Sequence, residues 1–404
     1  MPRADVAPEV ALSPRAPGPP VSLRQTTPST VADALVGHDN GFGFLRLLLA
    51  TVVIVDHAFP LGGFGRDPMW TWSKDQDSLG GICVAGFFAI SGYLIAKSSF
   101  TTDWLQFLWR RALRILPAYW TVLAVTAAIL GPAVWWHAHR SFAGYFVRNG
   151  VGPYSYVFQN AFLEIGRYGI HDLLTATTPY GQLVKASVFN GSLWTLIYEW
   201  HCYLLVLALA VAGAFRKARL LAVCTTVGLW LVLNLQVIDP TWPARLTPWL
   251  KDPHTVRFTT IFMLGALAAV YARHIPMDDR LGMLSVAVYF GSLFGGGYFT
   301  IGYPAMVYML LWLAVRLPKA LRLVGARNDY SYGIYLYGFL VQQLFAAAGV
   351  HKLGLLPFIV IAIVVSWVCA YVSWHVVEKP AMGLKDVGPG RGFQALRSRM
   401  KFST

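Results

Sequence analysis

Charged residues are scarce in this sequence. They make up 13% of the 404 residues, whereas hydrophobic residues make up 56%. About a quarter of the residues in a soluble globular domain are charged, so the composition excludes that class. It predicts instead an all-α, polytopic membrane protein.

Cysteine is rare as well, which argues against a fold held together by disulfide bonds or by zinc. All four cysteines lie inside apolar segments, so we predict neither a disulfide framework nor a zinc site and interpret them as core residues. A single His-x-His pair, His137 and His139, lies in a predicted outer loop, and we expect no metal cofactor. The cysteines are Cys83, Cys202, Cys224 and Cys369.

The first 40 residues lack any apolar run. Residues 1–40 are rich in Pro, Ala and Ser, which predicts a disordered cytoplasmic tail and argues against a cleavable signal peptide. Residues 41–380 are the predicted integral-membrane domain, and residues 381–404 a basic cytoplasmic tail. Within the domain, residues 137–192 are predicted to be extracytoplasmic, with residues 154–165 as a candidate re-entrant or surface helix.

Long apolar runs are abundant, and their number predicts about ten transmembrane helices. We place them at residues 43–60, 79–97, 115–136, 193–213, 218–238, 256–273, 281–297, 299–316, 331–349 and 354–376.

Basic residues set the predicted orientation. Most of the 33 Lys and Arg residues face the cytoplasm if the N-terminus is cytoplasmic, so we predict that both termini lie inside the cell. This asymmetry accounts for most of the net charge of +14, together with attraction to the inner leaflet. We therefore expect the lipid bilayer as partner and no nucleic acid.

The first apolar helix carries an Arg near its start and an Asp-His pair near its end. Arg46 and His57 are eleven residues apart, which places them within about 20° of each other around the helix axis. Charged groups inside a membrane usually face a cavity or a partner, and His suits proton transfer near neutral pH. The alternatives are a packing role for His57 and an Arg46 side chain that reaches the inner surface.

Further polar groups lie in the next segments. Ser91 is embedded in the Gly-rich second helix. Arg111 and Arg114 share one helical face at the cytoplasmic surface, where a phosphorylated donor would arrive. The alternative is that the two arginines only anchor the helix at the inner membrane surface. Glu199 lies within a predicted span and needs a partner, either Arg46 or the imidazole of His57. A further carboxylate, Glu378, is interpreted as a boundary residue of the last helix.

Five motifs in order resemble the membrane acyltransferase-3 family, over about residues 41–380. Arg46 and His57 match its Arg-ten-His signature, FFAISGYLI its second-helix pattern, and Arg111 with Arg114 its RxxR motif. LWTLIYE matches its LWSLxxE motif, with Thr195 in place of Ser, and SYGIYL with VEKP match its closing segments.

The resemblance implies transfer of an acyl group from acyl-CoA, most often acetyl-CoA, to a hydroxyl of a cell-envelope acceptor in a bacterial cytoplasmic membrane. On this basis we expect the CoA phosphates near Arg110, Arg111 and Arg114. Ser91 and Tyr93 are the other expected donor-binding residues.

The same resemblance implies roles for the catalytic residues. His57 would act as general base, with Asp56 or Glu199 fixing its tautomer, and Arg46 would line the donor path or stabilise charge. A covalent acyl-His intermediate is the mechanistic alternative. Many family members have a His after the SYxxYL motif, where this chain has Tyr337 and Gly338.

The acceptor and the class of protein each have an alternative. A glycolipid or glycan is the expected acceptor, and a lipophilic natural product the alternative. Buried ionisable residues are also typical of a proton-coupled transporter, but the sequence has no clear internal repeat and its ionisable residues cluster in the first four helices.

Overall fold

Ten main helices make up most of the described part of the protein. A computed structural model describes residues 30–37, 39–99, 103–148, 150–215 and 217–387. The helices are α1 (Phe42–Gly62), α2 (Leu79–Ser99), α3 (Trp104–His139), α4 (Ser192–Val211), α5 (Arg219–Ile238), α6 (Pro253–Val270), α7 (Asp279–Gly295), α8 (Tyr298–Arg316), α9 (Ser331–Ala347) and α10 (Leu355–Asp386).

These helices confirm the predicted all-α membrane fold. Each of the ten predicted segments corresponds to one helix, and in the described part of the chain eight helices are long and apolar enough to cross a membrane. The two others, α7 and α9, have 17 residues each. At 1.5 Å per residue they span about 26 Å, somewhat less than the hydrocarbon core of a bilayer.

Helix α3 begins well before the predicted boundary at residue 115. Asp103 caps its first turn by accepting a hydrogen bond from the backbone N–H of Gln106 at 2.9 Å. The first turns of α3 carry three arginines, so the search for long apolar runs missed them. Arg110, Arg111 and Arg114 therefore lie on the helix and are held at fixed positions relative to the bundle.

Helix α2 is the central element and packs closely against α6. A Cβ atom added to Gly92 would lie 2.0 Å from the carbonyl oxygen of Phe262, and one added to Gly265 would lie 2.2 Å from that of Ala89. Small residues permit such close approach of membrane helices. The glycines of the second segment therefore act in packing, as their spacing suggests.

Helices α1 and α9 run side by side in the same direction. Arg46, near the start of α1, meets Asp329, just before α9. Further along, the side-chain N–H of Gln342 donates to the carbonyl of Ile54 at 2.8 Å. The parallel arrangement brings the motifs of the first and ninth helices into contact along their lengths.

Residues 30–37, which lie before the predicted domain boundary at 41, pack against the helix bundle. The backbone N–H of Val31 donates a hydrogen bond to the carbonyl oxygen of Ile275 at 2.9 Å, and the side chains of Val31 and Leu35 are fully buried. The apolar pair Val31 and Leu35, four residues apart, explains this docking. Most of the predicted tails, residues 1–29 and 388–404, lies outside the described residues.

The segment 137–192 returns into the helix bundle before α4. It contains the short helices Pro153–Gln159 and Pro179–Val184. Near its end, Asn190 donates to the carbonyl of Leu336 in α9 at 2.7 Å, and Ser192 donates to that of Tyr335 at 3.1 Å. These bonds fix the start of α4 against α9.

Candidate active site

A half-buried carboxylate joins two arginines from different helices. Asp329 Oδ2 lies 2.7 Å from Nη1 of Arg46 and 2.7 Å from Nη2 of Arg114. Burial alone would raise the pKa of Asp329, but the two guanidinium groups and hydrogen bonds from Ser331 lower it to about 2. Asp329 is therefore ionised and fixes both arginines.

Arg114 has a second carboxylate partner. Its Nη1 lies 3.0 Å from Oε2 of Glu378, whose other oxygen accepts a hydrogen bond from Ser373 at 3.1 Å. The Glu378 residue is 2% exposed, so the predicted boundary carboxylate is buried and is paired with one of the inner-face arginines. Two carboxylates thus engage the Arg114 guanidinium.

The other two arginines of α3 differ in their partners. Arg110 forms an ion pair with Asp386 at 2.9 Å. Arg111 forms no ion pair with any described residue, and its guanidinium carbon lies 5.9 Å from the ring centroid of Tyr203. Of this trio, Arg111 is the cation whose charge the described carboxylates leave unpaired.

Glu199 pairs with neither of its expected partners. Its Oε1 accepts a hydrogen bond from the hydroxyl of Tyr203, one turn along α4. The carboxylate partner of Arg46 is Asp329 instead. The structure therefore places the acidic groups expected near Arg46 in a different arrangement from the predicted one.

Arg46 and Glu199 nevertheless line one cavity inside the bundle. The cavity encloses about 50 Å³ between α1, α2, α4 and α9, and Ser91 and Tyr335 also line it. The Tyr335 hydroxyl donates to the carbonyl of Ser192 at 2.8 Å. The result is a largely apolar chamber with a few polar groups, the usual character of a small-molecule site.

Tyr93 does not line this chamber. It is 2% exposed, its ring lies 5.7 Å from that of Phe42, and it lines another cavity with Lys97 and Arg273. Ser91 and Tyr93, two residues apart on α2, therefore face different cavities.

His57 lies further along α1 than the chamber. Its ring meets the ring of Phe339 edge to face, with the centroids 5.2 Å apart. Among the described residues neither ring nitrogen has a hydrogen-bond partner. Tyr335 of the chamber and Phe339 are four residues apart on α9, so the imidazole lies about one helical turn beyond the chamber.

Asp56 faces away from His57. Its carboxylate lies against the backbone N–H of Gly80 and close to the carboxyl group of Asp67. Successive residues on a helix point about 100° apart, which accounts for the separation. Neither Asp56 nor Glu199, the two carboxylates expected to orient the imidazole, contacts it.

The described residues contain no group of three or more His, Cys, Asp or Glu side chains that could hold a metal ion.

Sequence reasoning missed Asp329 and Tyr335 as site residues. Tyr335 lies in the SYGIYL motif, and Asp329 lies two residues before it. This motif was used only to identify the family. The signal that could have found Asp329 is its position: a carboxylate directly before an apolar helix, in a bundle with an arginine inside its first helix.

Comparison with known proteins gives the family. A family model described as an acyltransferase domain matches residues 39–375. The chain is 30% identical over 352 residues to an O-acetyl transferase of Shigella phage Sf6, covering 84% of this chain and 95% of the relative.

A second relative supports the same assignment. Nodulation protein 10 of Rhizobium leguminosarum bv. viciae is 28% identical over 375 residues, covering 86% of this chain and 95% of the relative. No solved structure shows significant similarity to the chain. The match over most of the chain, with the predicted motifs in place, shows that the protein belongs to the acyltransferase-3 family of membrane acyltransferases.

Proposed function

We propose that the protein moves an acyl group, most often acetyl, from acyl-CoA to a hydroxyl of a cell-envelope glycolipid or glycan in a bacterial cytoplasmic membrane. The observation that carries this proposal is the chamber lined by Arg46, Ser91 and Glu199 inside an apolar bundle of the acyltransferase-3 family. The printed name of the phage relative, an O-acetyl transferase, favours acetyl as the group that is moved.

The donor enters from the Arg46 end of the bundle, which we assign to the cytoplasm. Arg110, Arg111 and Arg114 lie at this end, and Arg111 is best able to bind a phosphate because no described carboxylate pairs with it. The flexible arm of CoA then carries the thioester to the chamber, where Arg46 is held by Asp329. Positioning an already activated thioester is a large part of the catalysis.

His57 is the general base. It accepts the proton of the acceptor hydroxyl while the hydroxyl oxygen attacks the thioester carbonyl carbon. The new C–O bond forms, the C–S bond breaks, and the proton passes from the imidazolium to the leaving CoA thiolate. An imidazole without a described hydrogen-bond partner is available for this proton transfer.

The experiment is a comparison of envelope glycans and lipids by mass spectrometry, with and without the protein. Cells that contain the active protein should show an additional mass of one acyl group on one envelope species. Purified protein in nanodiscs should transfer label from [14C]acetyl-CoA to that species. Unchanged envelope masses together with no binding of acetyl-CoA would overturn the proposal.

A further inference from the structure

A large cavity lies at the His57 end of the bundle, between the end of α5, the start of α6 and the start of α8. It encloses about 480 Å³, and we call it the distal cavity. Gln236 and Arg257 line it. Gln236 is 8% exposed, and its Oε1 has no hydrogen-bond partner among the described residues. The Nε of Arg257 likewise has no hydrogen-bond partner among them.

These two atoms form a complementary pair of hydrogen-bonding groups. A buried acceptor without a donor is costly, so the Oε1 of Gln236 favours a ligand that supplies an N–H or O–H group. The free Nε–H of Arg257 favours an acceptor oxygen, while Nη2 of Arg257 already binds Asp77. A hydroxyl group can donate a hydrogen bond to Oε1 of Gln236 and can accept one from Nε–H of Arg257, so a ligand with hydroxyl groups suits this wall.

Three aromatic residues also line the distal cavity: Trp70, Tyr298 and Phe299. Trp70 and Phe299 lie on its wall, and the Arg257 guanidinium packs against Phe299, with its carbon 4.6 Å from the ring centroid. Aromatic rings with nearby hydrogen-bonding groups suit the apolar faces and polar edges of sugar rings.

Trp70 is shared with a second cavity, which we call the proximal cavity. It encloses about 420 Å³ beside the end of α1 and the helix Pro179–Val184, and Asp56, Asp67 and Ser78 line it. Since Pro60 has no N–H, the carbonyl of Asp56 also lacks its usual helical donor. The wall carries these hydrogen-bond acceptors together with the donor Arg66, whose guanidinium carbon lies 5.1 Å from the ring centroid of Trp70. This mixture of acceptors and donors favours a hydroxyl-rich ligand.

We propose that the two cavities form one binding groove for an oligosaccharide of two or more sugars, with Trp70 between its two parts. The proximal cavity would hold the sugar nearer the transfer site, since it lies beside the end of α1 that carries His57, and the distal cavity would hold a sugar further along the glycan. This proposal rests on the proposed function, because it assigns the glycan part of the acceptor to these residues.

The test measures how transfer depends on acceptor length. Envelope glycan released by mild acid from the source cells is separated into pools of one to six sugars and offered to protein in nanodiscs with [14C]acetyl-CoA. For the wild type, longer pools should have an acceptor KM about tenfold lower than the single sugar. In Trp70→Ala and Gln236→Leu this preference should disappear, while the KM for acetyl-CoA stays unchanged.

Trp72→Ala is the matched control, because Trp72 lies two residues away, is 62% exposed and lines neither cavity. It should keep the wild-type preference. A wild type that acylates single sugars as well as longer pools, or a Trp70→Ala variant that keeps the preference, would overturn the groove.

A binding measurement separates this proposal from the proposed function. If no pool is acylated, equilibrium binding of the same pools to wild type and Trp70→Ala is measured by protein fluorescence. Binding that Trp70→Ala weakens would support the groove although acyl transfer had failed. No binding of any pool to the wild type would overturn the groove.

Discussion

The guanidinium of Arg46 lies 2.7 Å from the carboxylate of Asp329, which belongs to the turn before the ninth helix. The same oxygen also holds Arg114, so one carboxylate fixes cations from the first and third helices. The Arg46 that lines the chamber is therefore positioned by a residue nearly three hundred positions away in sequence.

Replacing Asp329 with Asn should destabilise the protein and reduce acyl transfer. The substitution leaves two guanidinium groups close together without their shared counter-charge, at a cost on the order of 2 kcal/mol, as the lowered pKa of Asp329 implies. Thermal unfolding in nanodiscs and acetyl transfer measure the two effects. Asp239→Asn is the control, since its pair with Arg245 is largely exposed; equal effects of both variants would contradict the assignment.

The contribution of Asp329 to stability should depend on pH. Its pKa in the folded protein is about 2, below the ordinary value of 3.8. The stabilisation is therefore fully present above pH 3.8 and is lost as the pH falls toward 2. The difference in unfolding temperature between wild type and Asp329→Asn should shrink over this interval, and a constant difference would argue against an ionised Asp329.

Replacing His57 with Ala should lower acyl transfer by about 10²- to 10⁴-fold, because the general base is removed. Binding of acetyl-CoA should stay close to the wild-type value, as measured by calorimetry. The exposed His137 supplies the control, and His137→Ala should keep full activity. Wild-type turnover in His57→Ala would exclude both the general base and an acyl-His intermediate, and acid-quenched labelling of the wild type separates these two.

Replacing Arg111 with Ala should raise the KM for acetyl-CoA with a smaller effect on kcat. The side chain has no ion pair with any described residue, and loss of a charge-assisted phosphate contact costs about 1.5–3 kcal/mol. Steady-state kinetics at two salt concentrations provide the measurement. Arg280→Ala, at the start of α7, serves as the control; a similar rise in KM for both variants would indicate a general charge effect.

Replacing Gly92 with Ala should destabilise the bundle. The new Cβ would lie 2.0 Å from the carbonyl oxygen of Phe262, which belongs to the backbone of α6 and cannot move alone. Gly228→Ala is the matched control, since no atom lies within 4 Å of its added Cβ. It should stabilise α5 by up to about 1 kcal/mol, so the unfolding temperatures of the two variants should shift in opposite directions.

Apolar runs were enough to locate all ten main helices, because a membrane helix must bury a continuous apolar stretch. They failed where a helix carries charge: the first turns of α3 contain Arg110, Arg111 and Arg114, and the predicted apolar span began only after them, at residue 115. The same criterion missed the docking of residues 30–37, where Val31 and Leu35 are the fully buried apolar side chains and no long apolar run is present.

The pairing of charges across helices was harder to predict. Sequence alone named Arg46, Arg114 and Glu199, but which carboxylate meets which arginine depends on how α1, α3, α9 and α10 pack. Asp56 shows the same limit within a single helix. Adjacency in sequence suggested contact with His57, whereas the helical rotation turns the carboxylate toward Gly80.

The long separation between Arg46 and Asp329 bears on biogenesis. During synthesis the leading helix leaves the ribosome well before the acidic turn that will neutralise its arginine, so it enters the translocon with an unbalanced charge. The ion pair that holds Arg46 can therefore form only after the first eight helices have been synthesised, and a nascent chain released before that point lacks the contact that positions this arginine.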